Sequence, residues 1–221
     1  MNILVIGEEV NFKECQLKFK DNHRYLFADS HKIGNQFFFE ADVVFDFIIE
    51  SEVAQMELYA HPSKAIVFLN TTKISLKKLR KSLESTKSIF GFAGLPTFLN
   101  REMLEVSVVS HDQETVLVDV CKGLGTAFQL VDDRVGLVTP RVICMIINEA
   151  YYTVQEGTAS REDIDLAMKL GTNYPHGPFE WCQKIGIKNV YELLAAVYDD
   201  TKDERYKICP LLKKEYLLIQ Q

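Results

Sequence analysis

The sequence predicts an α/β protein, with a sheet-and-helix first part over residues 1–132 and an all-helical second part over residues 133–221. Three observations predict it. Short, continuous apolar runs recur along the first part, as in Asn2–Ile6 (NILVI) and Ala65–Leu69 (AIVFL). Such runs suit strands covered on both faces. Amphipathic stretches separate several of them, and strands alternating with helices build a doubly wound sheet. After residue 132 the apolar spacing turns helical and no strand pattern is present.

The strands are expected at Asn2–Ile6, His23–Ala28, Ala41–Ile49, Ala65–Leu69, Ile89–Phe92, Leu104–Val109 and Phe128–Val131. Between them, Ser75–Glu84 places Leu76, Leu79 and Leu83 on one helical stripe. Thr115–Ala127 is a second helix of this part. In the second part, Pro140–Gln155 reads as one helix, with Pro in its first turn and Gly157 just past its end. Ser160 opens the next helix. Its hydroxyl can accept the Asp163 N–H, and Glu162 and Asp163 suit the positive end of the helix dipole. Val190–Tyr198 is a further helix, whereas Gly177–Trp181 reads as an apolar loop.

Composition narrows the function. The 221 residues carry a net charge of −6, so the chain as a whole has no attraction for nucleic acid or an anionic membrane. No apolar run approaches the ~20 residues of a membrane span. The five cysteines, at 15, 121, 144, 182 and 209, form no CxxC. They read as buried free thiols, which implies a reducing compartment, the cytoplasm. No His or Cys pair has metal-ligand spacing, so no metal is expected.

The first strand runs into Gly7-Glu8-Glu9-Val10-Asn11-Phe12. A dinucleotide-binding turn wants Gly at three positions, because only Gly lets the backbone approach the pyrophosphate. Gly7 supplies the first, whereas Glu9 and Phe12 replace the other two. Glu8 and Glu9 are expected to set carboxylates where phosphates would lie. Asp29 ends the second strand, the position from which a carboxylate can accept from a ribose hydroxyl.

The run Asp133-Arg-Val-Gly-Leu-Val-Thr-Pro-Arg141, then Ile147-Asn-Glu-Ala150, Glu162-Asp-Ile-Asp165, Ala167-Met-Lys-Leu-Gly171, Pro175-His-Gly-Pro-Phe-Glu180 and the tail Asp203–Leu212 resembles the C-terminal domain of 3-hydroxyacyl-CoA dehydrogenases. The front half is similar to the family's NAD-binding domain more loosely. The resemblance implies a shortened Rossmann-like domain, NAD as cofactor, an acyl-CoA-type small molecule as ligand and a homodimer formed through the helical domain.

It also implies which residues stand at the family's working positions. Asn70-Thr71-Thr72-Lys73 matches the Asn-Thr-Ser-Ser loop, so Thr72 keeps the active-site hydroxyl and Asn70 the cofactor-side amide. Glu105, between Leu104 and Val106, matches the catalytic Glu. The catalytic His is replaced by Ala93, and the catalytic Asn before Arg141 by Pro140. A lost base costs about 10²–10⁴ in rate. Only 63 residues separate Gly7 from Asn70, too few for the family's full set. Either a helix–strand pair or much of two helices is expected to be missing. Three readings follow: a catalytically weak or inactive member, an active oxidoreductase with a rearranged site using Thr72, Glu105 and His176, and a dimerisation partner of a full-length enzyme. The basic run Lys73, Lys77, Lys78, Arg80 and Lys81 is a solvated face or a docking point for phosphates.

Overall fold

The computed structural model describes residues 1–82 and 88–220. The chain divides into two compact units, Met1–Leu137 and Val138–Gln221. The division falls at 137 rather than after 132. Residues 133–137 are tied to the sheet unit: Asp133 accepts the N–H groups of Leu76 and Lys77 at 2.7 Å each, and the Gly136 N–H donates to the Thr72 carbonyl at 2.7 Å.

The first unit holds seven strands among the described residues: β1 (Asn2–Ile6), β2 (Arg24–Ala28), β3 (Val43–Asp46), β4 (Ile66–Asn70), β5 (Ile89–Phe92), β6 (Met103–Ser107) and β7 (Ala127–Val131). Their order is β2-β1-β3-β4-β5-β6-β7. All neighbours are parallel except β5 and β6. Side chains alternate across a strand, and here both faces are covered. Ile3 and Val5 join one core with Phe45, Phe68, Phe90 and Phe92. Leu4 and Ile6 join the other with Val44, Val67 and Leu69. That is why the strands read as unbroken apolar runs.

The connections are α1 (Glu9–Phe19), α2 (His31–Phe37), a 3₁₀ segment at Val53–Ala60, α3 (Leu76–Leu79) and α4 (Glu114–Leu124). β3 pairs directly with β4, so the strand order has no gap. The shortening falls on helices: α2 has seven residues, and a 3₁₀ segment joins β3 to β4.

Several expected elements change length. The strand expected to run to Ile49 stops at Asp46, because the Asp46 Oδ1 captures the N–H groups of Ile48 and Ile49 at 3.0 Å each and turns the chain. The helix expected to reach Ala127 stops at Leu124, where Gly125 takes φ 68°, a left-handed cap that suits Gly. The helix expected over Ser75–Glu84 is α3 followed by a 3₁₀ turn at Arg80–Ser82, and its residues 83 and 84 lie outside the described residues.

The second unit is helical: α5 (Thr139–Gln155), α6 (Arg161–Thr172), α7 (Pro178–Ile185), α8 (Ile187–Thr201) and α9 (Pro210–Leu218). Ser160 caps α6 by accepting the Asp163 N–H. The expected apolar loop at Gly177–Trp181 is the start of α7. Asp165 fixes it by accepting the N–H groups of Phe179 at 2.8 Å and Glu180 at 3.1 Å. All five cysteines are free and buried. No described helix is long and apolar enough to cross a membrane.

Candidate functional site

The C-terminal ends of β1, β3, β4 and β5 lie side by side, and in an open α/β sheet this edge is where ligands bind. Four of the residues singled out in the sequence gather there or beside it. Gly7 leaves β1, with its N–H bonded to the Ala28 carbonyl at 2.9 Å. Asp29 follows β2, exposed, and accepts from the Ser30 hydroxyl at 3.2 Å. Asn70 ends β4, and Thr72 follows two residues later.

The Gly7 turn is filled from within. The Asn11 Oδ1 accepts the Glu8 N–H at 2.9 Å. A Cβ on Gly7 would fall 2.8 Å from that same oxygen and 3.0 Å from the Phe47 Cβ. A pyrophosphate uses backbone N–H groups at such a helix start, and this one is already taken. The expectation for Glu9 is corrected. Its carboxylate is 73% exposed and pairs with Lys13 at 2.7 Å, one turn along α1. The Lys13 hydrogen bond and charge lower its pKa. Phe12 packs on β2, its ring edge-on to Tyr25 at 6.1 Å between centroids and tilted against Phe27 at 5.1 Å. These residues do not fit a bound pyrophosphate.

Asn70 is the hub of the edge. It is buried. Its Nδ2 donates to the Phe47 carbonyl at 3.3 Å and the Glu50 carboxylate at 3.1 Å. Its Oδ1 accepts the Gly94 N–H at 3.1 Å and the Thr72 hydroxyl at 2.8 Å. This pattern of acceptors on one side and donors on the other fixes the amide orientation. Thr72 is buried too, and its Oγ1 also lies 3.2 Å from Glu50 Oε1. The Lys73 N–H donates to the same carboxylate.

Glu50 thus gathers an amide, a hydroxyl and a backbone N–H, yet nothing in the sequence marked it. The only signal was its position a few residues past an apolar run.

Ala93 stands at the matched base position, 2% exposed. Glu105 lies half-buried in the middle of β6. Its charge acts on Arg101, whose pKa is lowered by burial and raised in opposition by Glu105. Two residues before Ala93, Gly91 is flanked by the buried hydroxyls of Thr71 and Ser107, which have no hydrogen-bond partner among the described residues. A Cβ there would fall 2.4 Å from each. In the second unit, Pro140 sits in the first turn of α5, where it offers neither an amide side chain nor an N–H. His176 is one-third exposed and its Nδ1 lies 4.0 Å from Glu180. No group of three or more metal-binding side chains is present among the described residues.

The basic run borders a groove of about 470 Å³ lined by Lys77, Arg80, Lys81, Ser110, Asp112 and Gln113.

A doubly wound, mostly parallel sheet followed by a helical unit is the architecture of nucleotide-dependent dehydrogenases that carry a separate helical domain. Residues 136–217 match the family described as 3-hydroxyacyl-CoA dehydrogenase, C-terminal domain. The chain belongs to the 3-hydroxyacyl-CoA dehydrogenase family. It is 29% identical over 182 residues to a probable 3-hydroxybutyryl-CoA dehydrogenase of Bacillus subtilis (strain 168), covering 79% of this chain and 63% of that protein. It is 42% identical over 88 residues to a 3-hydroxyadipyl-CoA dehydrogenase of Escherichia coli (strain K12), covering 40% of this chain and 18% of that protein. The matched stretch therefore spans less than two thirds of either relative. Among solved structures, the (S)-3-hydroxybutyryl-CoA dehydrogenase of Ralstonia eutropha superposes with a TM-score of 0.75 at 18% identity, over 98% of this chain and 93% of that one. FadB2 of M. tuberculosis gives 0.79 at 16%, over 99% and 94%. These two establish a shared fold.

Proposed function

We propose that this chain is a catalytically weak or inactive member of its family that still takes an acyl-CoA-type ligand. The observation that carries this reading is Ala93, a buried methyl at the matched base position. Oxidising a 3-hydroxyl requires a group that removes the hydroxyl proton as hydride leaves, and Ala93 has none to offer. The Asn11–Glu8 contact adds a second deficit, since it takes a backbone N–H that a pyrophosphate would use. The basic groove beside Lys77 and Arg80 supports a phosphate-bearing ligand.

The helical unit supports a homodimer: α6 has no buried residue, and its Leu166 and Leu170 are 53% and 77% exposed. The five free thiols of the whole chain favour a reducing, cytoplasmic setting.

A second reading has one observation in its favour. Glu50 lies within 3.2 Å of the Thr72 hydroxyl, so a carboxylate stands beside the matched substrate-binding group. An oxidoreductase with a rearranged site would use Glu50 as its base, with Thr72 as the polar contact to the reacting oxygen.

The test mixes purified protein with NADH and acetoacetyl-CoA and follows the nicotinamide absorbance, with calorimetry of each ligand alone. The expected result is heat from the acyl-CoA, weak or no heat from the nucleotide, and no oxidation above background. Oxidation that needs both ligands and disappears in Glu50→Gln establishes the second reading instead.

A further inference from the structure

We infer that His31 is a pH-sensitive latch: clamped between Asp46 and Glu52, it holds the segment after β3, and Glu50 with it, down on the edge of the sheet. The ring is buried at the start of α2. Its Nε2 lies 2.7 Å from the Asp46 Oδ2 and its Nδ1 2.8 Å from the Glu52 Oε2. An ionised carboxylate only accepts hydrogen bonds, so a ring that faces two of them donates from both nitrogens and carries the imidazolium charge.

The two carboxylates are unequal. Asp46 is fully buried and has three other donors: the N–H groups of Ile48 and Ile49 on Oδ1 and the Tyr59 hydroxyl, 2.7 Å from Oδ2. Glu52 is 47% exposed, and water can replace its contact with the ring. A neutral ring keeps one N–H. Asp46, with no access to water, retains it, and the bare nitrogen then faces the Glu52 lone pairs. Loss of one proton therefore breaks the Glu52 contact.

Glu52 closes the short turn Phe47–Glu52 and leads into the Val53–Ala60 segment. Glu50, two residues earlier, is held to Asn70, Thr72 and the Lys73 N–H. The latch thus governs how firmly Glu50 occupies those donors.

No other charged group competes for the ring among the described residues. β1 is apolar where α2 packs on it, Arg24 of β2 is turned to Glu40 at 3.6 Å, and Asp29 is exposed and bonded to Ser30. Tyr59 stays a neutral donor, because burial and Asp46 push its pKa up. Burial opposes a charge on His31, but the hydrogen bonds and charges of Asp46 and Glu52 outweigh it and raise its pKa above the ordinary 6.5.

The test is ¹⁵N NMR of the labelled imidazoles with pH, paired with hydrogen–deuterium exchange over residues 47–60 corrected for intrinsic rates. The expected result is both His31 nitrogens protonated at pH 6.5, and protection of 47–60 falling as pH passes the His31 midpoint. The loss should be about tenfold for each unit by which that midpoint exceeds the free value, with β1 unaffected. Glu52→Gln, at a half-exposed site that leaves the Asp46 cluster intact, should lower the midpoint by about 1 unit and move the loss of protection with it. A His31 that is neutral at pH 6.5, or protection of 47–60 that ignores the His31 midpoint in both proteins, overturns the latch.

Discussion

The Asn11 side chain closes back on Glu8, its Oδ1 2.9 Å from the Glu8 nitrogen. The contact completes the first turn of α1 and places a carboxamide against Gly7. It serves the fold and blocks the pyrophosphate position with one oxygen.

Replacing that residue separates the two effects. Asn11→Ala leaves the Glu8 N–H without its acceptor and should destabilise the protein by about 1 kcal/mol, read from urea denaturation. Nucleotide affinity should stay weak, because Phe12 still fills the space between α1 and β2 where a third Gly would sit. Tight NAD binding by Asn11→Ala would show that the amide alone closed the site.

Restoring the base should not restore the reaction. Antiparallel pairing sets Phe92 beside Val106 and Gly91 beside Ser107, and one step further along this register brings residue 93 opposite Glu105. An imidazole in Ala93→His therefore has a carboxylate to orient it. The substitution leaves Pro140 in α5 and the filled Gly7 turn unchanged. Turnover of acetoacetyl-CoA with NADH should remain at background, measured against the parent protein. A rate rising 10²-fold or more, the scale of a positioned base, would mean that the base was the only missing part.

The strands were legible because both sheet faces are covered, so Asn2–Ile6 and Ile89–Phe92 appear in the apolar pattern residue for residue. Ends set by side chains were not. β3 stops at Asp46 because a carboxylate reaches two N–H groups ahead of it, and an apolar pattern carries no trace of that. The start of α7 was missed for a related reason: its cap, Asp165, comes from another helix. Matched positions such as Asn70 and Thr72 could be named from their neighbours in sequence. Glu50 and His31 could not, since their meaning lies in partners about 15 to 23 residues away that only folding brings near.

Gly94 tests how tightly the Asn70 hub is built. A Cβ there would fall 2.7 Å from the Asn70 Cγ and 2.8 Å from its Cβ, inside any contact real atoms make. Asn70 cannot swing aside without losing Phe47, Glu50 and Thr72 together. Gly94→Ala should cost about 1–3 kcal/mol, the usual range for overpacking a buried site. Thermal unfolding checks it, and a change within about 0.5 kcal/mol would mean that the loop after β5 has room to move.

The raised pKa of His31 fixes how stability depends on pH. A group with a higher pKa in the folded chain binds its proton more tightly there than in the unfolded chain. Its contribution is therefore complete below about 6.5, the unfolded value, and is lost as pH rises through the folded value. The midpoint of unfolding should fall from pH 6 towards pH 9. His31→Gln removes the charge and leaves Asp46 with the Ile48, Ile49 and Tyr59 donors. The variant should be less stable than the parent at pH 6, by about 3 kcal/mol on the scale of breaking a buried ion pair. The gap should narrow steadily towards pH 9, because the parent loses its imidazolium and the variant has none to lose. Urea denaturation of both proteins at several pH values gives the two curves. Parallel curves across that range would mean that His31 does not carry its proton in the folded chain.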